Sequence, residues 1–209
     1  MLESFTHWLL TTFGLVGIGF VVFAESGLLV GMFFPGDSLL FTAGLFASRG
    51  DLPIVPLVAV AFLAAVAGDS VGYAFGKRAG ASLYRREDSR FFKQEHLRRA
   101  TEFYERHGGK TIVIARFIPI VRTMAPIVAG AAEMKYRRFI AFNIVGGALW
   151  GIGITLLGYF LGQTFPWIGE NLEIVVVVIV ALSVIPVFVH LRKARKEGSS
   201  EQKAREQSE

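Results

Sequence analysis

Arg116 and Arg122 lie in the run Ile114-Ala-Arg-Phe-Ile-Pro-Ile-Val-Arg-Thr-Met-Ala-Pro-Ile-Val-Ala-Gly130, which is otherwise apolar. Two acids have comparable surroundings earlier in the chain: Glu25 in the apolar stretch 13–30, and Asp37 directly after Pro35-Gly36. A charge at a bilayer centre costs about 2.5–3.5 kcal/mol on insertion scales, so four facing lipid would cost on the order of 10 kcal/mol. That rivals the stability of a whole domain. The four must pair or face water. One reading is structural: acid–arginine bridges clamp two segments together and do nothing more. The other is chemical. The guanidinium fork matches phosphate oxygens, so the arginines would hold a phosphate while the acids take up protons. Competition between acid and phosphate for one arginine would couple proton binding to substrate binding. Asp69 is a further candidate, either as a proton carrier or as a helix-face residue bonding a nearby hairpin.

These residues need unusual elements to position them. Pro119 and Pro126 are expected to break the helix that 111–130 would otherwise form. A segment with both prolines and both arginines suits a re-entrant hairpin that dips into the membrane and lines a polar cavity. The run 31–48 reads the same way. Pro35-Gly36 is a turn signal, and the apolar run after Asp37 is about half the length needed to cross. Pro35, Gly36, Pro119 and Pro126 are thus the expected hinges. Between the hairpins, 54–76 predicts a full spanning helix, with Ala64, Gly68, Gly72, Gly76 and Gly80 along one face. Small residues at that spacing let helices approach closely in lipid, within one chain or between chains of a homo-oligomer. A second long helix is expected over 139–162, with Asn143, Gly147 and Gly151 at the same spacing, and a Val/Ile-rich span over 174–190. The fold class that follows is an all-α integral membrane protein with about four full transmembrane helices. Each half has a Phe-x-Pro hairpin, a short polar link and a small-residue helix, which predicts an inverted repeat.

Bulk composition agrees. Of 209 residues 53% are hydrophobic, and the mean hydropathy is +0.49. The net charge of +5 is concentrated in 77–110, 135–138 and 192–205. The positive-inside rule places all three in the cytoplasm, which works only if 111–130 returns to the side it entered from. Both termini are then cytoplasmic, and the site is the cell membrane. Residues 1–12 read as an interfacial helix or as the start of the first span, 13–191 as the membrane domain, 77–110 as a cytoplasmic loop and 192–209 as a disordered tail. No cleaved signal peptide is expected. The absence of cysteine excludes disulfides, thiolate metal sites and cysteine nucleophiles. No metal or other cofactor is expected. Nothing resembles a basic aromatic sheet or a zinc finger, so nucleic acid is not an expected partner. His7, His96, His107 and His190 all fall outside the expected membrane core, leaving no activated nucleophile near the arginines and no enzyme reading.

Several ordered motifs together resemble one family. Glu25 followed by Phe34-Pro35-Gly36-Asp37, Gly68-Asp69-x-x-Gly72-Tyr73-x-x-Gly76, Arg116-Phe117-x-Pro119-x-x-Arg122 with Gly130, and Trp150 beyond are similar to the DedA family, also called the VTT or SNARE-associated family. The resemblance covers about residues 10–190. It implies a re-entrant-helix membrane fold and lipid translocation. Bacterial members are associated with returning undecaprenyl phosphate across the cytoplasmic membrane and with proton-gradient and envelope homeostasis; eukaryotic relatives scramble phospholipids. The family's membrane acids match Glu25 and Asp37, and its essential arginines match Arg116 and Arg122. The expected function is therefore a proton-linked flippase for a polyprenyl phosphate. The alternatives are a passive phospholipid scramblase and a membrane scaffold without transport.

Overall fold

The computed structural model describes residues 2–27, 36–83 and 109–165, with isolated positions from 167 to 178. Among these every regular element is helical. The elements are α1 (Leu2–Gly27), α2 (Gly36–Ser48), α3 (Ile54–Leu83), α4 (Lys110–Ala115), α5 (Pro119–Ala131) and α6 (Tyr136–Gly147). A π-helical turn, Ala148–Ile152, leads into α7 (Gly153–Thr164). The expected turn at Phe33-Phe34-Pro35, most of the cytoplasmic loop, most of the 174–190 span and the tail 192–209 lie outside the described residues.

Two helices are long and apolar enough to cross a bilayer among the described residues: Ile54–Gly80 within α3, and the 29-residue rod Tyr136–Thr164 made by α6, the π turn and α7. Their outer faces expose Val55, Leu63, Phe75, Leu149, Leu157 and Phe160. Such a continuous apolar surface suits lipid and not water. Two expected boundaries move. α1 runs unbroken across residues 12 and 13. α3 continues past Gly76 to Leu83, because Lys77, Arg78, Ala79 and Ala81 are good helix formers that extend the helix beyond its apolar section.

α3 is the centre of the molecule, packed along α1 and α5 and crossed by α6 and the π turn. Its small-residue face makes this possible. Gly68 meets the backbone of α1 at Phe23 and Gly27, while Gly76 and Gly80 meet α5 at Ile127 and Ala131; a Cβ at any of the three would overlap main chain. Gly147 and Gly151 of the second small-residue face also come against α3, beside Val66 and Ala61. Both faces are thus used inside one chain. α2 lies instead along α7. Val22, Leu40, Ala61, Ala65 and Trp150 form a buried cluster that ties α1, α2, α3 and the π turn together.

The break between α4 and α5 has a local cause. Ile118 is extended, with φ −114 and ψ 109, because a residue preceding proline is driven out of the helical region. Pro119 then takes the first turn of α5, where its missing N–H is no loss. Pro126 corrects the expectation of a second break: α5 continues through it. Its ring is fully buried and faces Gly72, 3.5 Å from where a Cβ would stand. Packing on the flat face of α3 holds the helix together across the missing hydrogen bond.

α2 and α5 are both 13 residues long and end alike. In α2 the Asp51 N–H donates to the Phe46 carbonyl, with Gly50 at φ 86. In α5 the Met134 N–H donates to the Ala129 carbonyl, with Glu133 at φ 55. Both are Schellman caps. Each short helix packs on the long helix of the other half, α2 on α7 and α5 on α3.

Candidate functional site

The charged residues singled out in the sequence meet between these helices, in two linked groups. Arg122, from the first turns of α5, reaches across to α1 and α2. Its guanidinium pairs with Glu25 and, at 2.6 Å, with Asp37 Oδ1. The Trp150 indole N–H from the π turn donates to the same Asp37 oxygen, also at 2.6 Å. Gly36, at the start of α2, stands against the Glu25 carboxylate with no space for a Cβ, so glycine there lets the two acids converge. Glu25 is 1% exposed, and among the described residues no side chain bonds its Oε2.

The second group is built on Arg116 and draws in the further candidate Asp69. Arg116, at the α4–α5 break, pairs with Asp69 of α3. It also donates to Asn143 Oδ1 of α6 at 2.8 Å. Asn143 in turn donates to the Val66 carbonyl of α3 at 3.0 Å. Asp69 is therefore a full member of the charge cluster, binding Arg116 from its place on α3. Trp150 joins the groups: its ring centroid is 5.6 Å from the Arg116 guanidinium carbon and 4.9 Å from that of Arg122, within cation–π range.

The groups differ in exposure. Arg116 and Asp69 have side chains 5% and 6% exposed. Arg122 is 11% exposed, but its partner Asp37 is 47% exposed. One pair is sealed and the other borders an opening. Among the described residues three carboxylates face two guanidiniums, so full ionisation of these five leaves one net negative charge and one bound proton makes them neutral.

Of the expected hinges, Gly36 and Pro119 stand at helix starts, Pro126 lies inside an uninterrupted helix, and Pro35 lies outside the described residues. The structure adds Asn143 and Trp150 to the expected site residues. Signals existed for both. Asn143 is a polar side chain within an apolar span, where such residues bond across helices. Trp150 sits mid-span and not at an interface, where tryptophan concentrates. No group of three His, Cys, Asp or Glu side chains among the described residues could hold a metal.

The VTT domain family matches residues 34–160. Protein DedA of Escherichia coli (strain K12) is 43% identical over 178 residues, covering 84% of this chain and 81% of its own. An uncharacterized membrane protein of Mycobacterium leprae (strain TN) is 44% identical over 169 residues, covering 81% and 75%. Another, from Mycobacterium tuberculosis (strain ATCC 25618 / H37Rv), is 33% identical over 192 residues, covering 90% and 87%. No solved structure matches the chain. With the domain match spanning most of the helices described above and the identity extending over most of both chains, the protein belongs to the DedA family of VTT-domain membrane proteins.

Proposed function

We propose that the protein is a lipid transporter of the cell membrane, a proton-linked flippase that returns a polyprenyl (undecaprenyl) phosphate carrier lipid and so serves envelope homeostasis. The observation that carries this reading is Arg122, shared between a buried and a half-exposed carboxylate. A phosphate arriving at the opening competes with Asp37 for the Arg122 fork. A proton then compensates the displaced carboxylate, which gives the coupling. Arg116, held by Asp69 and Asn143, positions the break from which α5 starts. The phosphate-binding role assigned to both arginines thus falls chiefly on Arg122. Nothing in this scheme needs covalent catalysis, and the protein is read as a non-enzyme.

The same reading makes α2 and α5 the return limbs of two re-entrant hairpins related as an inverted repeat. Their 13-residue length is too short to cross a bilayer, and their like caps and crossed packing support the relation. Tyr136 meets Tyr73 and Ser70 of α3, so the basic residues after Gly76 and those at 135–138 share one end of the bundle. This supports a cytoplasmic position for both, with cytoplasmic termini.

Transport in reconstituted vesicles tests the proposal. A fluorescent polyprenyl phosphate and a zwitterionic phospholipid are followed with and without an imposed pH gradient. Gradient-driven movement of the phosphate lipid alone is the expected result. Equal, gradient-independent movement of both would make the protein a scramblase and its charges a clamp.

A further inference from the structure

A groove of about 700 Å³ lies where α3 leaves its apolar section and α6 begins. It is lined by Ser70, Tyr73, Ala74, Lys77 and Arg78 of α3 and by Tyr136 of α6. No residue of the arginine–acid cluster lines it. Its wall is tied across helices: Tyr73 stacks on Phe139 at 4.6 Å between centroids and donates to the Met134 carbonyl. Tyr136 leans on Tyr73 at 5.4 Å, its hydroxyl 3.4 Å from Ser70 Oγ. Lys77 and Arg78 are exposed at the mouth, and Lys135, Arg137 and Arg138 are exposed on the adjoining turn. Among the described residues no acidic side chain pairs with any of the five.

We propose that this groove is a second, interfacial site that binds the phosphate-bearing headgroup of an anionic phospholipid. Lys77 and Arg78 hold the phosphate, and the Tyr136 ring packs at the glycerol level. Three observations choose a lipid as occupant. The cations sit where an apolar helix ends, which is headgroup depth in a spanning helix. Basic pockets between transmembrane helices are suited to anionic headgroups, and interfacial tyrosines present an apolar ring with a polar tip. The neighbouring surface of α3 exposes Val71 and Phe75, apolar area along which acyl chains would lie. The site rests on the membrane placement of α3 and α6 and not on any transported substrate.

The full chain is reconstituted in phosphatidylcholine vesicles containing a minor fraction of phosphatidylglycerol. After extraction, retained lipid is counted by native mass spectrometry. The wild type is expected to keep phosphatidylglycerol in preference to phosphatidylcholine. At about fivefold per basic charge near an anionic surface, Lys77→Gln with Arg78→Gln weakens that preference about thirtyfold. Lys77→Arg with Arg78→Lys keeps it, which separates lost charge from misfolding. Arg137→Gln with Arg138→Gln removes equal charge outside the groove and keeps most of it. An unchanged preference in the Lys77/Arg78 glutamine variant overturns the proposal. So does an equal loss in the Arg137/Arg138 variant, which would mean diffuse attraction, and so does full displacement by inorganic phosphate, which would mean a soluble-anion site. Arg122→Lys is expected to retain lipid normally even if transport stops, so this site and the transport reading fail separately.

Discussion

Arg122 and Arg116 are the same residue type on either side of one helix break, yet their surroundings give them different work. Arg122 holds two carboxylates, one of them half exposed. Lysine there keeps the charge but loses the planar fork. Arg122→Lys is expected to insert normally and to lose at least tenfold in transport of a phosphate lipid, as one charged hydrogen bond contributes about 1.5–3 kcal/mol; unchanged transport would argue against bidentate recognition. Asp37→Asn and Glu25→Gln should leave insertion intact and remove the response to a pH gradient; a full gradient response in both would discard the proton-carrier role. Asp69→Asn belongs to a different class. It leaves the sealed Arg116 charge without its ionic partner, and stripping one member from a buried pair destabilises by about 3–5 kcal/mol. Its effect should be read first as a lowered unfolding midpoint in detergent, and a midpoint equal to wild type would move Arg116 out of the structural role.

The elements supply the geometry these side chains need. A π turn at Ala148–Ile152 carries Trp150 to the junction of the two arginine groups. Turns of this kind recur at functional sites. The caps of α2 and α5 make a matched test. Both hold a residue in the left-handed region, glycine at 50 and glutamate at 133. A side chain in that conformation costs about 1–2 kcal/mol. Glu133→Gly should therefore stabilise the protein by about 1 kcal/mol and Gly50→Ala should destabilise it by a similar amount. Thermal unfolding of the two variants side by side checks both signs.

At the scale of the molecule, close helix packing places three acids and two arginines within one interior. The native chain has no cysteine, so single cysteines report topology cleanly. Asp51→Cys, between α2 and α3, is expected to react with a membrane-impermeant thiol reagent from outside the cell. Lys135→Cys, between α5 and α6, should react only after the membrane is opened. Labelling of both from the same side would remove the inverted arrangement.

Much of this was legible one-dimensionally because lipid makes hydrophobic length and charge so costly to misplace. The run of apolar residues determined the long helices, the four-residue glycine spacing determined the close-packed face of α3, and Pro119 determined the start of α5 through the steric restriction on Ile118. Four charges in apolar sequence marked the site, since charges there must converge on partners. The pairing itself was decided only in three dimensions. Whether Arg116 meets Asp37 or Asp69 depends on how α3 and α6 cross, and that crossing is set by glycine contacts between residues far apart in sequence. Pro126 shows the same limit: its local rule says break, while burial against Gly72 keeps α5 whole. Asn143 and Trp150 join the site for that reason too, as helix packing and a π turn bring their side chains to the arginines.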